Sequence, residues 1–445
     1  MKRIFSIITF SVLFMISCRT NQIMDEKALL STPDRQLNSQ SQSQNTKEDF
    51  NDAYLKKIGL YSALSQSAKD SLIDSYLLSM TDSEKIGQLF ILAIRHTDYG
   101  KPALKVDETI KTFMSKYKPG GIILFSLNFK NPEQTKELIS QLQSISPYPL
   151  FITTDEEGGK VSRLGKSAYM NVLYLPPAGE IGDTLNTDLA EVAAEYLGLD
   201  MKELGFNMNM APVADVADAD PMNPIGSRSF SSDPETAGSM TAAAVRGYKK
   251  AGISPVLKHF PGHGNVGGDS HNGAVASLSS REDFYNIDFI PFIKGIEAGT
   301  DFIMMGHMAA PALTGTNEPA SLSRQIQTVI LREEFRYEGL IITDAMDMGA
   351  IKNSFAPGEA ALKAFLAGSD MILMPENIPE AQQTLLKALS DGLYTQERLD
   401  ESLRRILKIK LNNGLFDKTV QSLTDSQNMN KSDRHTLITN RLNTQ

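Results

Sequence analysis

Leu340-Ile341-Ile342-Thr343-Asp344 is a short run of apolar and β-branched residues that stops on a carboxylate. A run of this length is too short for a helix and β-branching favours the extended chain, so it reads as a buried strand. Working outward, the same pattern recurs at Gln88 to Ile94, Gly121 to Phe125, Leu150 to Thr154, Asn207 to Ala211, Pro255 to His259, Phe302 to Gly306 and Met371 to Met374. Helical patterns fill the intervals, among them Pro132 to Ile145, Leu189 to Leu204 and Pro234 to Ala251, the last with Asp233 as N-cap and Pro234 in its first helical position. Strands alternating with helices predict an α/β fold around a parallel sheet, and about eight such units predict a single TIM-type (β/α)8 barrel. An open doubly wound sheet would also collect polar groups at strand ends, so the pattern speaks more strongly for parallel topology than for closure.

In parallel α/β folds the chemistry sits on loops after the strands. Asp155 follows the third strand candidate, His259 ends the fifth, His307 follows the sixth and Asp344 follows the seventh. The stretch Lys258 to His271, KHFPGHGNVGGDSH, gathers three of the chain's six histidines beside Asp269. Histidine titrates nearest neutrality, and the intervening glycines let the backbone bend while presenting Asp269 and His271 together.

Composition narrows the classes. The 445 residues are 41% hydrophobic and 22% charged, enough for one large domain or two modest ones. Acidic residues outnumber basic ones, 53 to 44, for a formal charge of -9, which excludes a nucleic-acid footprint. Cys18 is the sole cysteine, so neither an intrachain disulfide nor a zinc site of paired cysteines is available. Lys2 and Arg3 precede an apolar run, Ile4 to Ile16, too short to span a membrane comfortably, which reads as an export signal. Met15-Ile16-Ser17-Cys18 resembles the lipobox of bacterial lipoproteins, which implies lipidation of Cys18, an exported protein and a membrane as partner; a cleaved soluble signal is the competing reading. The expected organisation is a signal peptide over 1–17, a polar tether over 18–51, the barrel over 52–417 and a polar tail over 418–445, without a second α/β sandwich domain.

Each candidate group has a functional and a bland reading. Asp155, Glu156 and Glu157 crowd one strand end with Arg163 close behind; carboxylates there suit bidentate contacts to sugar hydroxyls, and the bland alternative is an Asp155–Arg163 bridge that orders the loop. Asp344 on its rigid strand end suits a nucleophile or a charge stabiliser, whereas Asp347 reads as a cap for the next segment. Arg228 either binds a ligand or staples its own loop. Strand alternation predicts that Lys258 and His259 face opposite sides unless the strand bends. His259, His263, Asp269 and His271 admit a metal site, a structurally satisfied set, or an Asp269–His271 pair in which the carboxylate orients an imidazolium acid.

Taken together, KHFPGHGNVGGDSH, DEEGGKVSRL, GFNMNMAPVADV and ITDAMDMGAI, in that family's set, resemble glycoside hydrolase family 3, in particular its β-N-acetylglucosaminidase branch, from about Met80 to Phe416. The resemblance implies Asp344 as nucleophile, His271 as acid/base with Asp269 as its partner, and Asp155, Arg163, Arg228, Lys258 and His259 holding a terminal β-linked N-acetylglucosamine. It implies retention through a covalent glycosyl-enzyme, with no metal, no other cofactor and no obligate protein partner. Lys160 stands where that family more often has arginine. The alternatives are a phosphorylase of the same family, a metal-dependent hydrolase, and a surface glycan-binding lipoprotein without turnover.

Overall fold

The computed structural model describes residues 52–417 and 430–443, apart from 54, 58, 98–99 and 267–272. The expectations placed on the signal, Cys18 and the tether, and on Asp269 and His271, lie outside the described residues. The domain from Asp52 opens with two helices, the second introduced by a capping box in which Thr81 and Glu84 satisfy each other's backbone amides.

Every strand candidate appears, most of them shorter than expected and the one at Pro255 to His259 longer by a residue at each end. In order they are β1 (Phe90–Ala93), β2 (Gly121–Ile123), β3 (Phe151–Thr153), β4 (Met208–Asn209), β5 (Ser254–Phe260), β6 (Phe302–Met305), β7 (Leu340–Thr343) and β8 (Ile372–Leu373). They form two four-stranded parallel sheets, β8-β1-β2-β3 and β4-β5-β6-β7. Hydrogen bonds cross both seams. Between β3 and β4 the Asn207 amide donates to the Ile152 carbonyl (3.2 Å) and the Met210 amide to that of Thr154 (3.0 Å). Between β7 and β8 the Met371 amide donates to Ile341 (3.0 Å), and the Leu373 amide to Thr343 Oγ1 (3.0 Å).

Both faces of these strands are buried, which is why they read as continuous apolar runs and not as alternation. The helices include α1 (Pro132–Ile145), α2 (Thr187–Leu204), α3 (Pro234–Ala251) and α4 (Gln396–Asn412). α1 and α3 match their predicted limits, and the Asp233 side chain caps α3 by accepting from the Thr236 amide. Full burial of one Leu, Ile or Phe contributes about 1.5–3 kcal/mol, so the strands and the inner faces of these helices account for most of the folding drive.

Two features departed from expectation. Within the stretch read as a polar tail, α5 (Lys431–Asn443) docks on α2 with Ile438 wholly buried. One fully buried apolar residue flanked by the partly buried Leu437 and Leu442 leaves little periodic signal; charge adds to it, since Lys431, Arg434 and His435 surround the buried Asp200 of α2. The other is Lys410 of α4, fully buried, with Nζ 2.9 Å from Gln88 Oε1 and 5.1 Å from the centroid of the Phe151 ring.

Burial pushes the Lys410 amine down from 10.5 to about 7. Because the unfolded chain holds that proton up to a higher pH, the amine costs most stability below about 7 and nothing once both states are neutral above 10.5. Lys410→Met should therefore raise Tm, relative to the parent, by several degrees more at about pH 6 than at about pH 9.5. The lost bond to Gln88 is common to both conditions, so melts giving the same offset at the two pH values would contradict the neutral buried amine.

Candidate active site

The carboxyl ends of the strands surround a cleft of about 250 Å³. Asp155, Arg163, Arg228, Lys258, His259 and Asp344 all line it. A larger open groove of about 670 Å³ runs past Arg332, Arg336 and Arg404, and none of the strand-end carboxylates lines it.

Glu157, two residues beyond Asp155, sits at the centre of the charge network. Its carboxylate takes both arms of the Arg228 guanidinium, at 2.8 Å each, and the Lys258 ammonium at 2.6 Å. Burial alone would raise this carboxyl, but the two cations outweigh it and hold Glu157 ionised well below the usual range. Lys258, 3% exposed, also reaches Asp155 Oδ1 at 3.1 Å; burial lowers its amine, and Glu157 and Asp155 bring it back above its ordinary value. The Asp155–Arg163 contact is loose at 3.9 Å, and Arg163 Nε has no hydrogen-bond partner among the described residues. Asp155 is therefore held through Lys258 more than by Arg163. Arg228 fixes Glu157 and donates to the Pro224 carbonyl of its own loop at 3.4 Å, as the stapling reading has it, and it also lines the cleft.

Lys258 and His259 both face the cleft, against strict alternation. The pairing of β5 with β6 shifts register between Leu257 and Phe260, and the Lys258–His259 peptide is cis. His259 is set by Asp215, a fully buried residue among the unassigned part of GFNMNMAPVADV. One Asp215 oxygen faces His259 Nδ1 at 2.8 Å; the other accepts from the amides of His259 (3.1 Å) and His263 (2.7 Å). A carboxylate only accepts, so Nδ1 carries the proton and Nε2 is left for the cleft. Burial raises Asp215, and its neighbours His259 and His263 bring it net below the ordinary value.

Asp344 leaves β7 with its Oδ1 accepting from the Ala345 amide at 2.7 Å. Burial works against its charge, but His259, His307, that amide and Lys258 together place it below the ordinary carboxylate value. His307 does not enter the cleft lining: its Nδ1 meets Ser321 Oγ (2.7 Å) and its Nε2 the Ala345 carbonyl (2.9 Å), which braces the segment after Asp344. His263 is buried beside His259, the two rings 5.7 Å apart. The reading of Asp347 as a cap is corrected. The helix Gly349–Lys352 has Met348 at its N-cap with no side-chain cap, while Asp347 lines the cleft and meets Arg95 at 3.5 Å.

Glu157 was legible only as part of a crowded acidic triplet, Asp215 only as a letter in a longer motif, and Arg95 not at all. A strand-end position is the one signal they share. Arg95 follows β1 and lies 4.5 Å over the Phe125 ring, which follows β2.

The model of the glycosyl hydrolase family 3 N-terminal domain matches residues 81–409. Beta-hexosaminidase A of Pseudoalteromonas piscicida is 33% identical over 366 residues; the match takes in 74% of this chain but 61% of that protein, so the chain spans less than two thirds of that relative. Beta-hexosaminidase LpqI of Mycobacterium tuberculosis is 32% identical over 342 residues, 74% of this chain and 83% of that protein. Among solved structures, a family 3 β-N-acetylglucosaminidase from a Paenibacillus species superposes with a TM-score of 0.74 at 32% identity, covering 82% of this chain and 68% of that one. The parallel α/β architecture, the charged cleft at its strand ends and these matches lead to one conclusion: the chain belongs to glycosyl hydrolase family 3.

Proposed function

We propose that this protein is a retaining exo-β-N-acetylglucosaminidase, acting on peptidoglycan fragments or related glycans and held at a membrane through lipidated Cys18. The observation that carries the reading is convergence: Asp344 and the five residues assigned to the terminal sugar line one cleft although they come from four separate segments of the chain. Hexosaminidases among the relatives support the sugar. We further propose that the two sheets are halves of one closed barrel, a reading supported by the hydrogen bonds across both seams.

The chemistry follows from the charges. Asp344 is ionised through the neutral and mildly acidic range, as a nucleophile requires. Its oxygen bonds to the anomeric carbon as the glycosidic bond breaks, and the departing oxygen takes the proton of the His271 imidazolium. Water then attacks the same carbon, gives its proton to the neutral imidazole and releases Asp344, so configuration is retained. Asp155, fixed by Lys258, accepts sugar hydroxyls, while Arg163, Arg228 and His259 Nε2 supply the complementary contacts.

Replacing Asp344 by Ala should lower turnover of an aryl β-N-acetylglucosaminide at least about a thousandfold, about 4 kcal/mol of barrier. A fluorinated substrate should label the peptide containing Asp344, and the released product should be free sugar even with phosphate present. Labelling elsewhere removes the assignment, and sugar 1-phosphate makes the protein a phosphorylase. For His271→Ala the loss should be about 10²–10⁴-fold with a poorly activated leaving group and much smaller with a nitrophenolate, which needs no proton; equal losses exclude the acid role. The anchor is tested in cells: Cys18→Ser should move the enzyme from the membrane fraction to the soluble one and abolish incorporation of labelled fatty acid. An unchanged distribution would dismiss the lipidated cysteine.

A further inference from the structure

The segment that carries Asp155 and Arg163 is tied down at two places by buried carboxylates. At its near end Glu156, wholly buried, accepts from Ser162 Oγ (2.5 Å) and from the amides of Arg163 (2.8 Å), Leu164 (2.7 Å) and Gly165 (3.3 Å). At its far end Asp200 of α2, also wholly buried, accepts from the Leu173 amide at 2.8 Å. The two ties meet, because a Cβ on Gly165 would lie 2.9 Å from the Leu173 carbonyl oxygen, and only glycine lets the strands of the loop approach so closely.

The remaining partners of Asp200 come from α5, the C-terminal helix. Arg434 Nη2 lies 3.1 Å from Oδ1, His435 Nε2 2.5 Å from Oδ2, and Lys431 Nζ 3.7 Å from Oδ1. The other charge nearby is Glu203, which is taken up by Lys136 at 2.9 Å and Lys431 at 3.3 Å. Burial raises the Asp200 carboxyl, and His435, Lys431 and the Leu173 amide together bring it below its ordinary value. A buried carboxylate stripped of its cations is strongly unfavourable and either takes up a proton or draws in water. Drawing in water displaces the side chain, and the Leu173 amide then loses its fixed acceptor.

We infer that Asp200 is a positioning residue for the cleft and that α5 is the clasp which keeps it in place, so that docking of the C-terminal helix sets the loop bearing Asp155 and Arg163. Asp344 stands on β7, whose bonds run to β6 and β8 and not to this loop. Loss of the clasp therefore weakens the hold on the terminal sugar and leaves the chemical step intact. The activity readout rests on the glycosidase reading proposed above, whereas the order of the loop does not.

The test is made on the full chain with Arg434→Met and His435→Ala combined. Exchange of the Leu173, Leu164 and Arg163 amides should speed up about tenfold or more while strand amides keep their protection. With an aryl β-N-acetylglucosaminide, KM should rise about tenfold and kcat stay within about twofold. Adding Asp200→Asn should restore loop protection and bring KM back to within about threefold of the parent, because a neutral amide oxygen still accepts from Leu173 without needing cations. Unchanged exchange in the double variant, a fall in kcat at constant KM, or failure of Asp200→Asn to rescue would each overturn the inference. If no glycoside is turned over by any form, the exchange measurement alone decides it, and the loss belongs to the functional reading.

Discussion

The cleft depends on one buried interaction, the Glu157 carboxylate clasped by Arg228 and Lys258. The three residues come from the loop after β3, the loop between β4 and α3, and β5 itself. Removing one partner from such a set leaves an uncompensated buried charge and costs about 3–5 kcal/mol, so the group is all-or-none in practice. With Glu157 in place two cations can stand in a largely buried floor, and Lys258 can extend a further bond to Asp155. The charge that fixes the floor thus also orients, through Lys258, a carboxylate that lines the cleft.

Asp215 performs the corresponding task on the other side. It spends both oxygens on the β5 loop, one on the His259 ring and one on two backbone amides, and so holds a histidine tautomer and a bend together. Asp344 benefits from both arrangements without touching either carboxylate. Its charge is favoured by His259, which Asp215 orients, and by Lys258, which Glu157 anchors. The electrostatics of the cleft are therefore set jointly by Glu157 in its wall and by Asp215 one step behind it, in line with the general need for fixed supporting charges around a polar site.

A second tier lies further out. Glu156 and Asp200 use buried carboxylates to fasten backbone amides, which is how a long loop can lie against the domain without a strand or helix of its own. α5 belongs to this tier, since its polar face makes sense only against Asp200. Viewed alone the helix has a weak apolar stripe and no reason to dock; viewed with its partner it neutralises a charge that burial would otherwise disfavour.

The sequence by itself determined the α/β class, the order of the strands and the positions where carboxylates and cations leave them, because burial on both faces forces continuous apolar runs and strand ends force polarity at fixed places. Asp155, Lys258, His259 and Asp344 were legible for that reason. What only the tertiary structure decided is which charges meet. Glu157 and Arg228 are 71 positions apart, Asp215 and His259 are 44, and Asp200 and His435 are 235, so no local pattern couples them. Asp347 was misread as a cap for the same cause: its partner Arg95 lies 252 positions away across the cleft mouth. Local spacing reports periodicity and capping, which are short-range steric effects, whereas the compensation of buried charge is a long-range condition that exists only once the strands have assembled.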